Sequence, residues 1–427
     1  MGDEVNRRAF LLGSGRALAA GTLASACDPS PSFATAQGST FNGIEQRLAA
    51  ALEAYDAQGN HRTATEVDNT SAEWLAREIR QIGLDPSFEP FMMTRIDPLS
   101  CYIRVAGRRI EGVPLFDANF TDPKGIRGAL GPVASDAEIG LVETERFMLV
   151  EPRRELGGAL IEARHSGHKG IVILTRGSRP GLFLLNAPSF RAPFGPPALQ
   201  VSSAEAEWLM AQAQQNAEVE FVVSVEKVAS RASNVTVRIA GSDSGLAPLV
   251  VTTPRSGWWQ CTSERGGGLA CWVETMRVLA AAKPARDCLF AAFSGHEIGF
   301  LGIDAYLVSR ADLVKSAHAW IHLGANIGAP QQPNLIQFSD AFMERWITAA
   351  LEREGLTVDH KAEPSLVPRG EAGSLHRGGA RYVSLVCGTE VFHNPADRWP
   401  DAIDLAILAR YSRAVANGAL ALAQAYG

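Results

Sequence analysis

From residue 233 onwards the chain alternates short, unbroken apolar runs with longer amphipathic stretches. Residues 234–239 and 248–253 read as strands, and the periodicity of residues 268–282 predicts a helix. Residues 288–293 form another apolar run, after which a helix is expected to begin near Gly302. Two more runs fall at 319–323 and 382–386, and a last helix is expected over 401–425. Apolar runs that do not alternate with polar residues imply strands buried on both faces. The pattern therefore predicts an α/β architecture, a mostly parallel central sheet flanked by helices. In such sheets ligands gather at the C-terminal ends of the strands. The loops after Thr253, Phe293, Leu323 and Val386 are thus the ones to inspect.

The first half has a different texture. Residues 45–58 and 71–82 read as helices, with Gly83 as a stop. Over residues 98–231 short apolar runs such as 170–174 are broken by Pro188, Pro193, Pro196 and Pro197, and a single amphipathic helix is expected at 204–215. This is the texture of a β-rich insert. The expected division is 40–97 for the first part of the main domain, 98–231 for the insert and 232–427 for the rest.

Composition narrows the function classes. The 427 residues are 46% hydrophobic and 20% charged, ordinary for a chain with a large core. A net charge of −6 argues against a nucleic-acid surface, which needs a clustered positive field. Residues 1–27 read as an address: Arg7-Arg8 followed by Ala9-Phe10-Leu11-Leu12 resembles a twin-arginine export signal, and Ala24-Ser25-Ala26-Cys27 resembles a lipoprotein cleavage box. The expectation is a periplasmic or otherwise extracytoplasmic protein, anchored to the inner membrane if Cys27 carries lipid, or simply cleaved. Residues 28–39, rich in Pro, Ser and Ala, read as a tether. Beyond the N-terminal segment no apolar run is long enough for a bilayer. The six cysteines include no Cys-x-x-Cys pair, and their spacing assigns no disulfide.

At the strand-end loops the sequence resembles the zinc-dependent aminopeptidases, metallopeptidase family twenty-eight, which also includes glutaminyl cyclases. Phe293-Ser294-Gly295-His296-Glu297-Ile298-Gly299-Phe300-Leu301-Gly302 looks like the family's Phe-x-Gly-Glu-Glu-x-Gly-Leu-x-Gly motif, and His393-Asn394-Pro395-Ala396-Asp397 like its late His-x-Pro-x-Asp motif. Residues 61–83 look like the family's opening helix, and 98–231 like the protease-associated insert that many members carry. The resemblance implies a peptide or small amide substrate, two zinc ions and a glutamate general base.

The departures from that pattern are uneven. Where the early zinc-binding His-x-Asp belongs, Thr253-Pro254-Arg255-Ser256 stands, and Gly324 takes the place of the mid-chain Asp. The resemblance thus implies that one metal position is lost. At the other, Glu264 falls on the bridging Asp, and Glu297 and His393 are intact, which leaves a one-zinc site as the expectation. His296 replaces the general base, and an imidazole can take a proton from water near neutral pH. Arg255 and Arg265 are expected to flank the vacated space, to hold a substrate carboxylate or to pair with Glu264. Glu371 falls where the family often has an acid, and Trp258 and Trp399 are expected to wall the pocket. The reading is an exported hydrolase of peptide or other amide bonds with a degenerate site that keeps at most one zinc. The alternatives are an inactive binding scaffold of the same fold, or a one-zinc cyclase or acyltransferase.

Overall fold

The computed structural model describes residues 38–145, 158–330 and 333–425. Arg7, Arg8, Cys27 and residues 28–37 lie outside the described residues. Helix α1 (Ile44–Asp56) is followed by α2 (Glu66–Gln81). The second helix starts before the expected residue 71 because Thr65 Oγ1 accepts a hydrogen bond from Asp68 N at 3.3 Å, an N-cap that the apolar pattern does not mark. Gly83, at φ 87°, follows its end as expected.

Next come β1 (Ser87–Val105), β2 (Arg108–Glu111), β3 (Val113–Pro114), β4 (Ile126–Pro132) and β5 (Ile139–Glu145). After them stand α3 (Gly158–Arg164), β6 (Gly170–Arg176), β7 (Ala198–Val201), α4 (Ala206–Gln214) and β8 (Glu218–Ile239). Strands β4, β5, β6 and β7 run parallel, with β3 antiparallel at the end. Residues 98 and 231 both fall inside long strands, since β1 and β8 pair antiparallel from Ser87–Thr236 to Val105–Val219. The insert region is thus reached along a continuous two-stranded ribbon. Its C-terminal strand β8 joins the central sheet at one end and β4 at the other.

The remainder is β9 (Leu249–Pro254), α5 (Gly267–Ala282), β10 (Cys288–Phe293), α6 (Leu301–Val308), α7 (Ala311–Ser316) and β11 (Ala319–Leu323). Then follow β12 (Asn334–Phe338), α8 (Ala341–Arg353), β13 (His360–Lys361), α9 (Ala372–Gly378), β14 (Tyr382–Cys387) and α10 (Leu405–Gln424). The central strands β10, β9, β11 and β14 are parallel neighbours, and β8 and β12 flank them antiparallel. Both faces are covered. Leu249 and Val251 of β9 pack with α1, α5, α8 and α10, whereas Val250 packs on the opposite face with Ile303, Val314 and Leu375. This is why the strands read as unbroken apolar runs. The five described cysteines, Cys101, Cys261, Cys271, Cys288 and Cys387, are buried free thiols. No described helix is long and apolar enough to cross a membrane.

Candidate functional site: a cleft with an internal cation

The loops after β9, β10, β11 and β14 meet at the C-terminal edge of the sheet. Glu264 and Arg265 lie in a wide helical turn, Thr262–Gly266, that leads into α5. Such turns recur at functional sites. Asp397 holds this one by accepting from Ser263 N at 2.7 Å and Glu264 N at 3.0 Å. At Gly267 a Cβ would stand 2.0 Å from the Ile327 carbonyl oxygen, so only glycine lets α5 start this close to the β11 loop.

Glu264 is completely buried, and its Oε1 lies 2.6 Å from Arg265 Nη2 and 3.3 Å from His393 Nε2. Arg265 is equally buried and donates from Nε to the Ser256 carbonyl at 2.8 Å. Burial by itself would raise the Glu264 carboxyl, but Arg265, and then His393, outweigh it and hold it down at about 2. His393 Nδ1 donates to the Leu184 carbonyl at 2.7 Å, which fixes the ring with Nε2 towards Glu264.

Glu297 is used differently. Its Oε1 accepts from Thr63 N at 2.9 Å and Thr63 Oγ1 at 2.5 Å, and its Oε2 accepts from Ser256 Oγ at 2.7 Å. Ser256 Oγ in turn accepts from Gly295 N at 2.8 Å. Burial raises the Glu297 carboxyl despite these bonds, because no cation touches it. His296 Nδ1 is 3.1 Å from Glu371 Oε1. Burial pushes Glu371 up to about 8 and pushes His296 well below its ordinary value, so near neutral pH the two form an uncharged pair. His322, with Nδ1 3.1 Å from Thr252 Oγ1, is held neutral by burial and by Arg265, at about 3.

A cavity of about 410 Å³ opens beside these groups. Leu115, Leu160 and Phe183 of the 98–231 region line it together with His296, His322 and His393. The volume is that of a small-molecule site.

Several expected site residues are therefore brought together and others are not. Glu264, Arg265 and His393 form one cluster, and His296 and Glu371 form an adjoining pair. Glu297 does not join Glu264 and His393, because Thr63 and Ser256 engage both of its oxygens. Among the described residues no three His, Cys, Asp or Glu side chains stand together as a metal-binding group. The expected one-zinc set thus does not fit the ion: its bridging carboxylate already faces a guanidinium at 2.6 Å.

Arg255 also departs from expectation. It points under α2, 2.8 Å from Asp68 Oδ1, and donates to the Ser233 carbonyl, because its fully buried charge needs a fully buried partner. Trp258 does not wall the cavity but stacks on Phe116 at 4.8 Å and donates to Asn186 Oδ1. Trp399 packs against the main core. Gly324 lines the cavity, whereas Thr253 turns its hydroxyl to the Leu323 carbonyl. Thr63 and His322 do not stand out in the sequence. Thr63 lies far along the chain from Glu297, and no local spacing connects them.

No known family model matches the chain, and no curated protein does. Solved structures do. The aminopeptidase from Aneurinibacillus sp. strain AM-1 superposes with a TM-score of 0.68 at 15% identity, over 90% of this chain and 95% of that one. For BSAP, a zinc aminopeptidase from Bacillus subtilis, the TM-score is 0.70 at 17% identity, over 88% and 93%. A peptidase M28 precursor from Shewanella amazonensis SB2B gives 0.70 at 16%, over 91% and 96%. At such identities the likeness is one of fold. The chain has the α/β fold of the zinc aminopeptidases.

Proposed function

We propose that this protein binds a peptide or small amide in the cleft of a peptidase-like fold, without zinc-dependent hydrolysis. One observation carries this reading: of the two carboxylates that would hold a metal, Glu264 is ion-paired through Oε1 with Arg265, and Glu297 has both oxygens hydrogen-bonded by Thr63 and Ser256. The cleft itself is kept, lined by imidazoles, among them the neutral His296 and His322, and by apolar side chains. A neutral imidazole both donates and accepts, which suits an amide, and the apolar wall suits its side chains. In this reading residues 98–231 act as a protease-associated-like wall to the cleft. Export by the twin-arginine route is part of the same proposal, and replacing Arg7 and Arg8 by Lys should strand the precursor in the cytoplasm.

The test is a panel of peptides and acyl amides offered to purified protein with metal content measured in parallel. The expected result is saturable binding, no stoichiometric zinc and no zinc-stimulated turnover. Zinc at one per chain together with turnover would overturn the reading. A second reading, metal-independent amide hydrolysis, is favoured by the His296–Glu371 contact of 3.1 Å at the cavity wall. It requires that His296→Ala lower turnover by roughly a hundred-fold or more.

A further inference from the structure

We infer that Arg265 is a covalently attached substitute for a metal ion, a resident cation that makes the floor of the cleft independent of divalent metals. The inference rests on the reading that the cleft works without zinc, but concerns what stands in its place. Glu264 is entirely buried, and a carboxylate in that position needs a positive partner. The partner here is its chain neighbour, with Arg265 Nη2 at 2.6 Å from Glu264 Oε1 and no part of either side chain reaching solvent beyond a trace. The wide turn makes this possible. In a regular helix adjacent side chains point apart, whereas in Thr262–Gly266 they converge.

A hydrogen bond holds the guanidinium in place beside the ion pair. Its Nε donates to the Ser256 carbonyl at 2.8 Å, and Ser256 is the residue whose hydroxyl holds Glu297. Its field also reaches outward: Arg265 contributes to holding His296 and His322 neutral and works against the upward push of burial on Glu371. A cation at the centre of buried acids and imidazoles is what a metal would supply electrostatically. A guanidinium, however, cannot be stripped by a chelator, and it offers no open coordination position. Without Arg265, Glu264 would keep His393 Nε2 3.3 Å from its Oε1, a carboxylate–imidazole pair of the kind zinc binds.

The experiment uses the whole chain and reads thermal stability with zinc or a chelator present. Wild-type Tm should respond to neither. Arg265→Met, which keeps the length and removes the charge, should lower Tm by about 5–10 °C, since it leaves a buried carboxylate unpaired. Added zinc should restore part of that loss in Arg265→Met only. Glu264→Gln/Arg265→Met, which removes both charges, should recover most of the Tm and lose the zinc response. An Arg265→Met protein as stable as wild type, or one indifferent to zinc, would overturn the inference. Should the single variant not fold, the double variant decides: no recovery there overturns it as well. A wild type that carries zinc overturns the functional reading separately, through metal content alone.

Discussion

Two neighbouring parts of the cleft floor treat buried carboxylates in opposite ways. Around Glu264 the protein supplies a full positive charge at 2.6 Å, and the acid stays ionised, at about 2. Around Glu297 and Glu371 it supplies neutral donors and an imidazole, and both acids are raised, Glu371 to about 8. Burial is complete on both sides. The difference lies in the partner: hydrogen bonds from hydroxyls and amides do not offset the loss of water around a charge, whereas an adjacent guanidinium does.

The largest effect should come from breaking the charged side. Glu264→Ala leaves Arg265 buried without its carboxylate and should cost about 3–5 kcal/mol in urea unfolding. A loss under about 1 kcal/mol would mean that the pair is as expendable as a surface ion pair. On the neutral side, Ser256→Ala removes the donor to Glu297 Oε2 and the acceptor for Gly295 N, for an expected loss of about 1–3 kcal/mol.

The pH dependence of stability sharpens the contrast further. In the folded protein Glu371 keeps its proton up to about 8, whereas the unfolded chain releases it near 4.5. Between those values the folded state binds the extra proton, so this group's contribution to stability falls as pH rises. Glu371→Gln should flatten that fall, measured as unfolding free energy across the window. Glu264 has the opposite sign: its contribution is present above 4.5 and is lost as pH drops towards about 2. An unchanged slope in the Glu371→Gln protein would show that Glu371 is ionised when folded.

The smallest effect is expected at Trp258. Trp258→Phe keeps the stack on Phe116 and loses the bond to Asn186, for about 1 kcal/mol or less, with ligand affinity unchanged. A tenfold loss of affinity would return this tryptophan to the cavity wall.

The order of strands and helices along the main domain could be read from the chain because burial on both faces writes itself as unbroken apolar runs, as at 249–253 and 288–293. The loops that carry Glu264, His296 and His393 could be found for the same reason, since they follow those runs. Helices α8 and α9 and strand β12 went unread between 324 and 381, where the runs are short and polar residues interrupt them.

The use made of each site residue was not legible in this way. Arg255 and Arg265 look equivalent in sequence, each close to the vacated metal ligands. Only the fold decides between them: the direction of the chain after β9 sends Arg255 under α2 to Asp68, and the wide turn before α5 folds Arg265 back onto Glu264. Glu297 likewise matches its motif, yet its fate depends on Thr63 and Ser256, one of them from the other end of the domain. Residue type and spacing along the chain determined which groups reach the cleft. Which charge meets which carboxylate was decided by tertiary structure, because ion pairing depends on distances of a few ångströms between segments that sequence spacing does not relate.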